Sequence, residues 1–398
     1  MYNFNIKEKS DQSRTGILKL GLKEFKTPCY GLIHTDTKRL IHGSNLIRTD
    51  LPPINFNEIV IDHKGDIKKS LQIFSSRINN NYKSGVPNIC QFRSSKDTYI
   101  SKDELQEIIR IQSESEKLSV ITLPDPQINI FDINWEKSMD SALKLATESY
   151  ETGLTFTIMP TISLDQRIEL IEKKLQWLLK KDINAIGLRA TGQFSPRLLK
   201  ATTILKETKE SVWIHLFDIK KKYLELSQVH LVPLLTVDTI TTKKGYPRSG
   251  YQRTLTYVQD EHSSDFPVPL GIPLETDEPI LKKKEELRDI FEGKALGFLT
   301  KNERIQEFGH ELTCNCPICS KTRSIEELEG LLSRMERKSL IQIHEAVSYN
   351  DEFDKIKKAI HDNDLLKYYN KKILVKKNKI QISKKFPNIT KPRYKPLW

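Results

Sequence analysis

Two hydrophobic periods alternate along the chain. Residues 15–35 (TGILKLGLKEFKTPCYGLIHT) alternate apolar and polar positions as a hairpin does, with breaks at Gly21 and at Thr27-Pro28. Residues 58–62 (EIVID) read as a short buried strand. Ser101 with Glu104 three residues later is a capping box, and it opens an apolar helical period that runs to Gln112. From there strands and helices alternate. The strand-like stretches are 118–123, 154–159, 183–188 and 212–217, and the helical ones are 135–151, Leu164 to Lys181, Ser195 to Glu207 and Tyr223 to Leu226. A further apolar stretch at 231–240 contains Asp238.

This alternation over about two hundred residues is the pattern of βα units around a parallel sheet. The number of repeats, with no glycine-rich phosphate loop, favours an α/β TIM-type (β/α)8 barrel over a dinucleotide-binding sheet. Barrel enzymes place their chemistry at the C-terminal ends of strands. Three such ends are expected to be notable: Asp125 after VITL, Gly187 after NAI and Asp238 after LLTV.

Charge and cysteines refine the picture. The 398 residues carry 64 Lys+Arg against 52 Asp+Glu, a formal net charge of +12. Eleven of those basic residues, and no acid, fall between Lys367 and Trp398, among tyrosines, a tryptophan and three prolines. A basic tail with interleaved aromatics suits a polyanion, above all nucleic acid, although a solvated terminus would have the same composition. KKILVKKNKIQI within it alternates like a short strand or hairpin. The longest apolar run, Leu231 to Val237, is far short of the roughly 18 residues of a membrane span. Met1 to Lys9 is polar, with no apolar signal region behind it, so a cytoplasmic protein with no membrane contact is expected.

Three of the five cysteines fall within six residues. Cys314, Cys316 and Cys319 precede His344 in a Cys-x-Cys-x2-Cys-x24-His pattern. Three thiolates and an imidazole form the ligand set of a closed, tetrahedral, structural Zn2+. The residues between them have helical periodicity, which would carry the fourth ligand back to the ion.

That spacing, close behind a run of βα units, resembles the tRNA-guanine transglycosylase (queuine/archaeosine tRNA-ribosyltransferase) family. Other stretches agree. SDQSRTGILKLGLKEFKTPCY, with Arg14, Gly16, Thr27 and Pro28, is similar to the family's opening hairpin. LSVITLPDP is similar to the strand that delivers its first aspartate, here Asp125. HLFD at 215–218 followed by LLTVDTITTKKG resembles the segment that presents its nucleophilic aspartate, here Asp238. The resemblance covers roughly residues 1–350. It departs at IMPTI (158–162), where a Gln-Gly-Gly loop is usual, at IGLRATG (186–192), where Gly187-Leu188 is kept, and at Asp218, where glycine is usual. The family usually also has one more residue before the histidine.

The resemblance implies a barrel over residues 1–300, a zinc subdomain with closing helices over 301–365 and a nucleic-acid-binding tail over 366–398. It implies exchange of guanine for a free 7-deazaguanine base through a covalent aspartyl-sugar intermediate, and a possible homodimer. Asp238 would be the nucleophile and Asp125 its acid/base partner. Gly187 and Leu188 would contact the base. The target nucleotide would be flipped out of its stack, and Lys243, Lys244, Arg248 and Arg253 could hold the flanking phosphates. tRNA is the favoured substrate and DNA the alternative; a non-catalytic nucleic-acid-binding partner subunit is a third reading. Simpler roles compete at single residues. Asp125, between Pro124 and Pro126, could shape a turn, Asp238 could cap a helix, and His215 and His230 could be satisfied core histidines.

Overall fold

The structure is a computed structural model. It describes residues 3–9, 13–33 except 22, 55–62, 67–80, 86–93, 99–115, 118–151, 157–190, 196–209, 211–220, 236–243 and 349–368 except 351–352 and 366. The two parts are a small antiparallel sheet and an eight-strand parallel sheet, curled and flanked by helices.

The small sheet holds β1 (Asn3–Lys9), β2 (Arg14–Leu20) and β3 (Lys23–Thr27) in the order 1-2-3. β2 and β3 form the hairpin expected from the alternation, turning at Gly21, whose φ of 60° suits glycine. β1 was not expected, because its inward residues are only Phe4 and Ile6 among polar neighbours.

The parallel sheet begins at β4 (Cys29–Tyr30) and β5 (Leu32–Ile33), two halves of one strand separated by Gly31. It continues through β6 (Asn57–Asp62), β7 (Asn88–Arg93), β8 (Val120–Leu123), β9 (Thr157–Ser163), β10 (Ala185–Arg189), β11 (Trp213–Lys220) and β12 (Thr239–Lys243). β5 pairs with β6, and β4 pairs with β12, so the two ends of the sheet meet across Gly31. The Gly31 N–H donates to Ile240 and the Leu32 N–H to Phe56, on opposite sides. A Cβ at Gly31 would stand 2.3 Å from the Phe56 ring, so only glycine fits here. Carried once round from Ile33, the register comes back eight residues earlier in the chain. Eight strands with a stagger of eight are compatible with a TIM-type α/β fold.

Helices α1 (Ile67–Asn80), α2 (Lys102–Ser113), α3 (Ile133–Glu151), α4 (Ile168–Lys180) and α5 (Pro196–Thr208) lie between successive strands from β6 to β11. The capping box of α2 forms as expected: the Ser101 hydroxyl accepts from Glu104 N–H at 3.3 Å, and the Glu104 carboxylate accepts from Ser101 N–H at 2.8 Å. β7 and β8 share a single register pair, and the Gln112 carboxamide of α2 fills the gap. It accepts from Thr122 N–H and donates to Thr122 C=O, both at 2.9 Å. A side-chain amide there takes the place of a neighbouring strand.

Two cores result. Strand residues facing outward, such as Ile59, Ile121, Leu188, Leu216 and Ile240, pack under the helices. The strand beginnings face inward with Phe56, Ile89, Val120, Ala185 and Trp213, and these pack against Phe4, Leu18, Leu20 and Phe25 of the small sheet. The small sheet therefore covers the N-terminal end of the curled sheet. Residues 349–350 and 353–361 return to the strand at Gly31: the Asn350 carboxamide accepts from Tyr30 N–H at 2.8 Å and donates to Tyr30 C=O at 3.2 Å. No described helix is long and apolar enough to cross a membrane.

Candidate functional site

In a parallel sheet all strand beginnings lie on one side. Asp238 precedes β12 rather than ending a strand, so it lies on the side opposite Asp125, which follows β8. This corrects the expectation that both aspartates line the C-terminal mouth. The apolar stretch at 231–240 suggested a strand that ends near Asp238. The strand is instead TITTK, whose inward positions are threonines and carry no hydrophobic signal.

Asp238 is almost wholly buried. Its carboxylate accepts from Arg14 Nε at 2.9 Å, from Arg14 Nη2 at 2.5 Å and from Ile214 N–H at 2.8 Å. Arg14 also donates to the Val212 carbonyl. Burial pushes the carboxyl above its usual range, against the pull of Arg14 and the Ile214 amide. Such a bidentate pair under the small sheet clamps β2 to the starts of β11 and β12.

Asp125 lies at the C-terminal side, as expected, and is fully engaged. Its oxygens accept from Lys174 Nζ at 2.9 and 3.0 Å and from Trp135 Nε1 at 2.9 Å. Lys174 is itself inaccessible to solvent and donates further to the carbonyls of Gln127 and Ile128. Burial lowers the Lys174 ammonium, while Asp125 opposes the shift. Asp125 thus anchors the chain after β8 to α3 and α4.

Gly187 faces the inside of the sheet, where a Cβ would stand 2.9 Å from the Thr161 methyl. Leu188 points the other way, into the core beneath the helices, which removes its side chain from any base pocket. Lys243 is the last residue of β12. Lys244, Arg248, Arg253 and the four expected zinc ligands Cys314, Cys316, Cys319 and His344 lie outside the described residues. So do Tyr223 to Leu226, His230 and most of the basic tail. Among the described residues no group of three or more His, Cys, Asp or Glu side chains could hold a metal. The described cysteines, Cys29 and Cys90, are buried in strands, and burial pushes the Cys29 thiol up to about 12.

What occupies the inside of the sheet above the apolar floor is a polar cluster. Glu58, Gln91, His215 and Thr241 are all inaccessible to solvent. Thr241 donates its hydroxyl to Glu58 Oε2, and His215 Nε2 lies 4.0 Å from the same oxygen. Trp213 Nε1 donates to Thr239 Oγ1 at 2.8 Å, and that hydroxyl stands 2.9 Å from His215 Nδ1. Burial pushes Glu58 up to about 7, opposed by Thr241 and Arg93 and reinforced by Asp218. Burial pulls His215 down to about 3, so its ring is neutral. Its Nδ1 is hydrogen-bonded to the Thr239 hydroxyl, and its Nε2 is turned towards Glu58.

Nearer the C-terminal ends, Asp218 pairs with Arg93 of β7 and with Arg189 of β10, the latter at 3.1 Å. Asp218 has φ 65°, and the β11–β12 register slips between Leu216 and Ile219. A bulge of this kind re-aims a side chain, and aspartate tolerates the left-handed region better than most residues. Among the described residues Glu58 Oε1, His215 Nε2 and both amide atoms of Gln91 have no hydrogen-bond partner. Buried polar atoms are rarely left so, and a cluster of them marks a place where a polar ligand or water completes the bonding.

The sequence reading missed Glu58, Gln91 and Arg93. The signal was weak: only Cys90-Gln91-Phe92-Arg93 alternates apolar with polar, and Glu58 stands at the head of an otherwise apolar run. The chain matches no protein-family model and no curated protein.

Proposed function

We propose that this chain is a guanine transglycosylase built on a complete (β/α)8 barrel, exchanging guanine in nucleic acid for a 7-deazaguanine base. The observation that carries the reading is the polar cluster inside the sheet, above its apolar floor. There Glu58 and Gln91 present unpartnered polar atoms, and Asp218 is held between two arginines.

A retaining exchange needs one carboxylate to attack and a second group to move a proton. Asp218 is the attacking carboxylate. Its oxygen forms a bond to the sugar C1′ while the bond from C1′ to guanine breaks. Glu58, with a pKa near 7, gives its proton to the departing base and then takes one from the incoming deazaguanine. The new base attacks C1′ and releases Asp218. Gln91, with a donor and an acceptor both unused, faces the edge of the base. Asp125 and Asp238 hold the framework.

The resemblance supplies the polymer, with tRNA favoured over DNA. It also supplies a structural zinc on Cys314, Cys316, Cys319 and His344, a donor set whose chemistry fits the ion, and a homodimer. Incorporation of labelled guanine or deazaguanine into bulk tRNA and duplex DNA tests the proposal. Exchange should be abolished in Asp218→Asn and cut at least 100-fold in Glu58→Gln. Full activity in Asp218→Asn would overturn the assignment of the nucleophile, and no label in either polymer would overturn the enzyme.

A second reading, a non-catalytic nucleic-acid-binding partner subunit, is favoured by the ion pairs that tie up Asp125, Asp238 and Asp218 alike. It expects salt-sensitive tRNA binding that none of these substitutions alters.

A further inference from the structure

Beside the mouth, on the same C-terminal side of the sheet, lies an open cavity of about 520 Å³. One wall is Tyr99, which follows β7, with Lys102 at the start of α2. The other is Gln127, which follows β8, with Asn134 and Lys137 of α3. Tyr99 is 52% exposed, unusual for a large ring with no ring contact among the described residues. Lys102 and Lys137 are exposed and make no ion pair among the described residues. The acid on the rim, Asp132, is committed: its Oδ1 accepts the N–H groups of Asn134 and Trp135 as the cap of α3.

The walls are fixed from below. Ile100 N–H donates to the Pro126 carbonyl at 3.0 Å, which ties the Tyr99 stretch to the chain after β8. Lys174 holds the Gln127 and Ile128 carbonyls from the buried side, and Asp125 holds Lys174. An exposed aromatic face flanked by two ammonium groups without an ion pair among the described residues suits one ligand chemistry. The base stacks on the ring while its phosphates lie on the lysines. The carboxamides of Gln127 and Asn134 add groups able to hydrogen-bond a 2′-hydroxyl.

We infer that this cavity binds one nucleotide of single-stranded RNA flanking the nucleotide whose base is exchanged. The inference rests on the proposed function for its position along the strand, but not for the binding itself.

Fluorescence anisotropy of the full-length protein with labelled RNA and DNA octamers, across a salt series, tests it. Tyr99→Ala should weaken RNA binding about tenfold, while Tyr99→Trp keeps it. Loss of both lysines, Lys102→Ala with Lys137→Ala, should flatten the log–log salt dependence by about 1.4. In the exchange assay Tyr99→Ala should raise KM for tRNA about tenfold and leave kcat unchanged. Binding by Tyr99→Ala equal to the parent, or equal loss in Ala and Trp variants, would overturn the site. Tighter binding of the DNA octamer would overturn its assignment to RNA. A parent protein that exchanges no base, yet binds RNA through Tyr99, would remove the proposed function and leave this site standing.

Discussion

Replacing Asp238 by asparagine separates two roles that the sequence cannot tell apart. The carboxylate is 1% exposed and accepts three hydrogen bonds, two from an Arg14 side chain that is itself 4% exposed. Asparagine keeps the size and one acceptor but leaves the guanidinium buried without a counter-charge. Breaking a buried pair from one side costs about 3–5 kcal/mol. Asparagine retains part of the bonding, so the lower end, about 3 kcal/mol, is expected. Against a total of roughly 5–15 kcal/mol, that is a large fraction of the stability. Urea unfolding followed by far-UV circular dichroism, with tryptophan emission as a second probe because Trp213 starts β11, would read it. The double variant Arg14→Met, Asp238→Asn should lose less than the sum of the two single variants, since each single variant already removes the pair. Folded Asp238→Asn, assayed at low temperature, should keep the proposed base exchange. A variant as stable as the parent to within about 1 kcal/mol, yet inactive, would refute the structural role and restore Asp238 as the nucleophile.

Glu58 sets a pH dependence of definite sign. Its carboxyl is near 7 in the folded chain against an ordinary 4.5, so its contribution is full below 4.5 and is lost as pH rises towards 7, by about 3 kcal/mol. His215 acts in the opposite sense. Its folded value near 3 lies below 6.5, so stability is lost as pH falls from 6.5 towards 3. Urea midpoints of Glu58→Gln from pH 4.5 to 8 should lack the alkaline-side loss seen in the parent; identical profiles would show that Glu58 does not titrate there. Lys174→Met should cost about 3–5 kcal/mol by stranding Asp125, and the added change Asp125→Asn should recover part of it in the same unfolding assay. Metal analysis of the purified chain should find one zinc per protein, lost in Cys316→Ser, with the far-UV spectrum of the sheet retained. A full zinc complement in that variant would refute the ligand set.

Elements that bury one apolar face were legible in the sequence. α2 could be placed by its capping box, and α4 and α5 by their period, because each presents leucines and isoleucines to the sheet at helical spacing. β6, β8, β10 and β11 stood out as short apolar runs. β7 and β12 did not. Their lumen positions are Gln91, Arg93, Thr239 and Thr241, and a strand whose second face is polar looks like loop when read for hydrophobicity. The same blindness misplaced Asp238, which stands at the start of a strand that could not be seen. Asp125 was placed on the correct side, but its lysine lies 49 residues away on α4, and no local pattern announces such a partner. The cluster at Glu58 was hidden for the opposite reason: its members sit on four different strands, and only the closing of the sheet brings them together.

The small sheet that seals the strand beginnings has a kinetic consequence. With Phe4, Leu18, Leu20 and Phe25 packed against Phe56 and Trp213, the described residues close the end of the sheet where the strands begin. In the proposed exchange a departing base and its replacement would then share the opposite end, on the side of Asp218, and the second would come in only after the first has gone out. Initial-rate plots with varied polymer and varied free base should then give parallel lines, the pattern of an enzyme that is emptied of one partner before it admits the next.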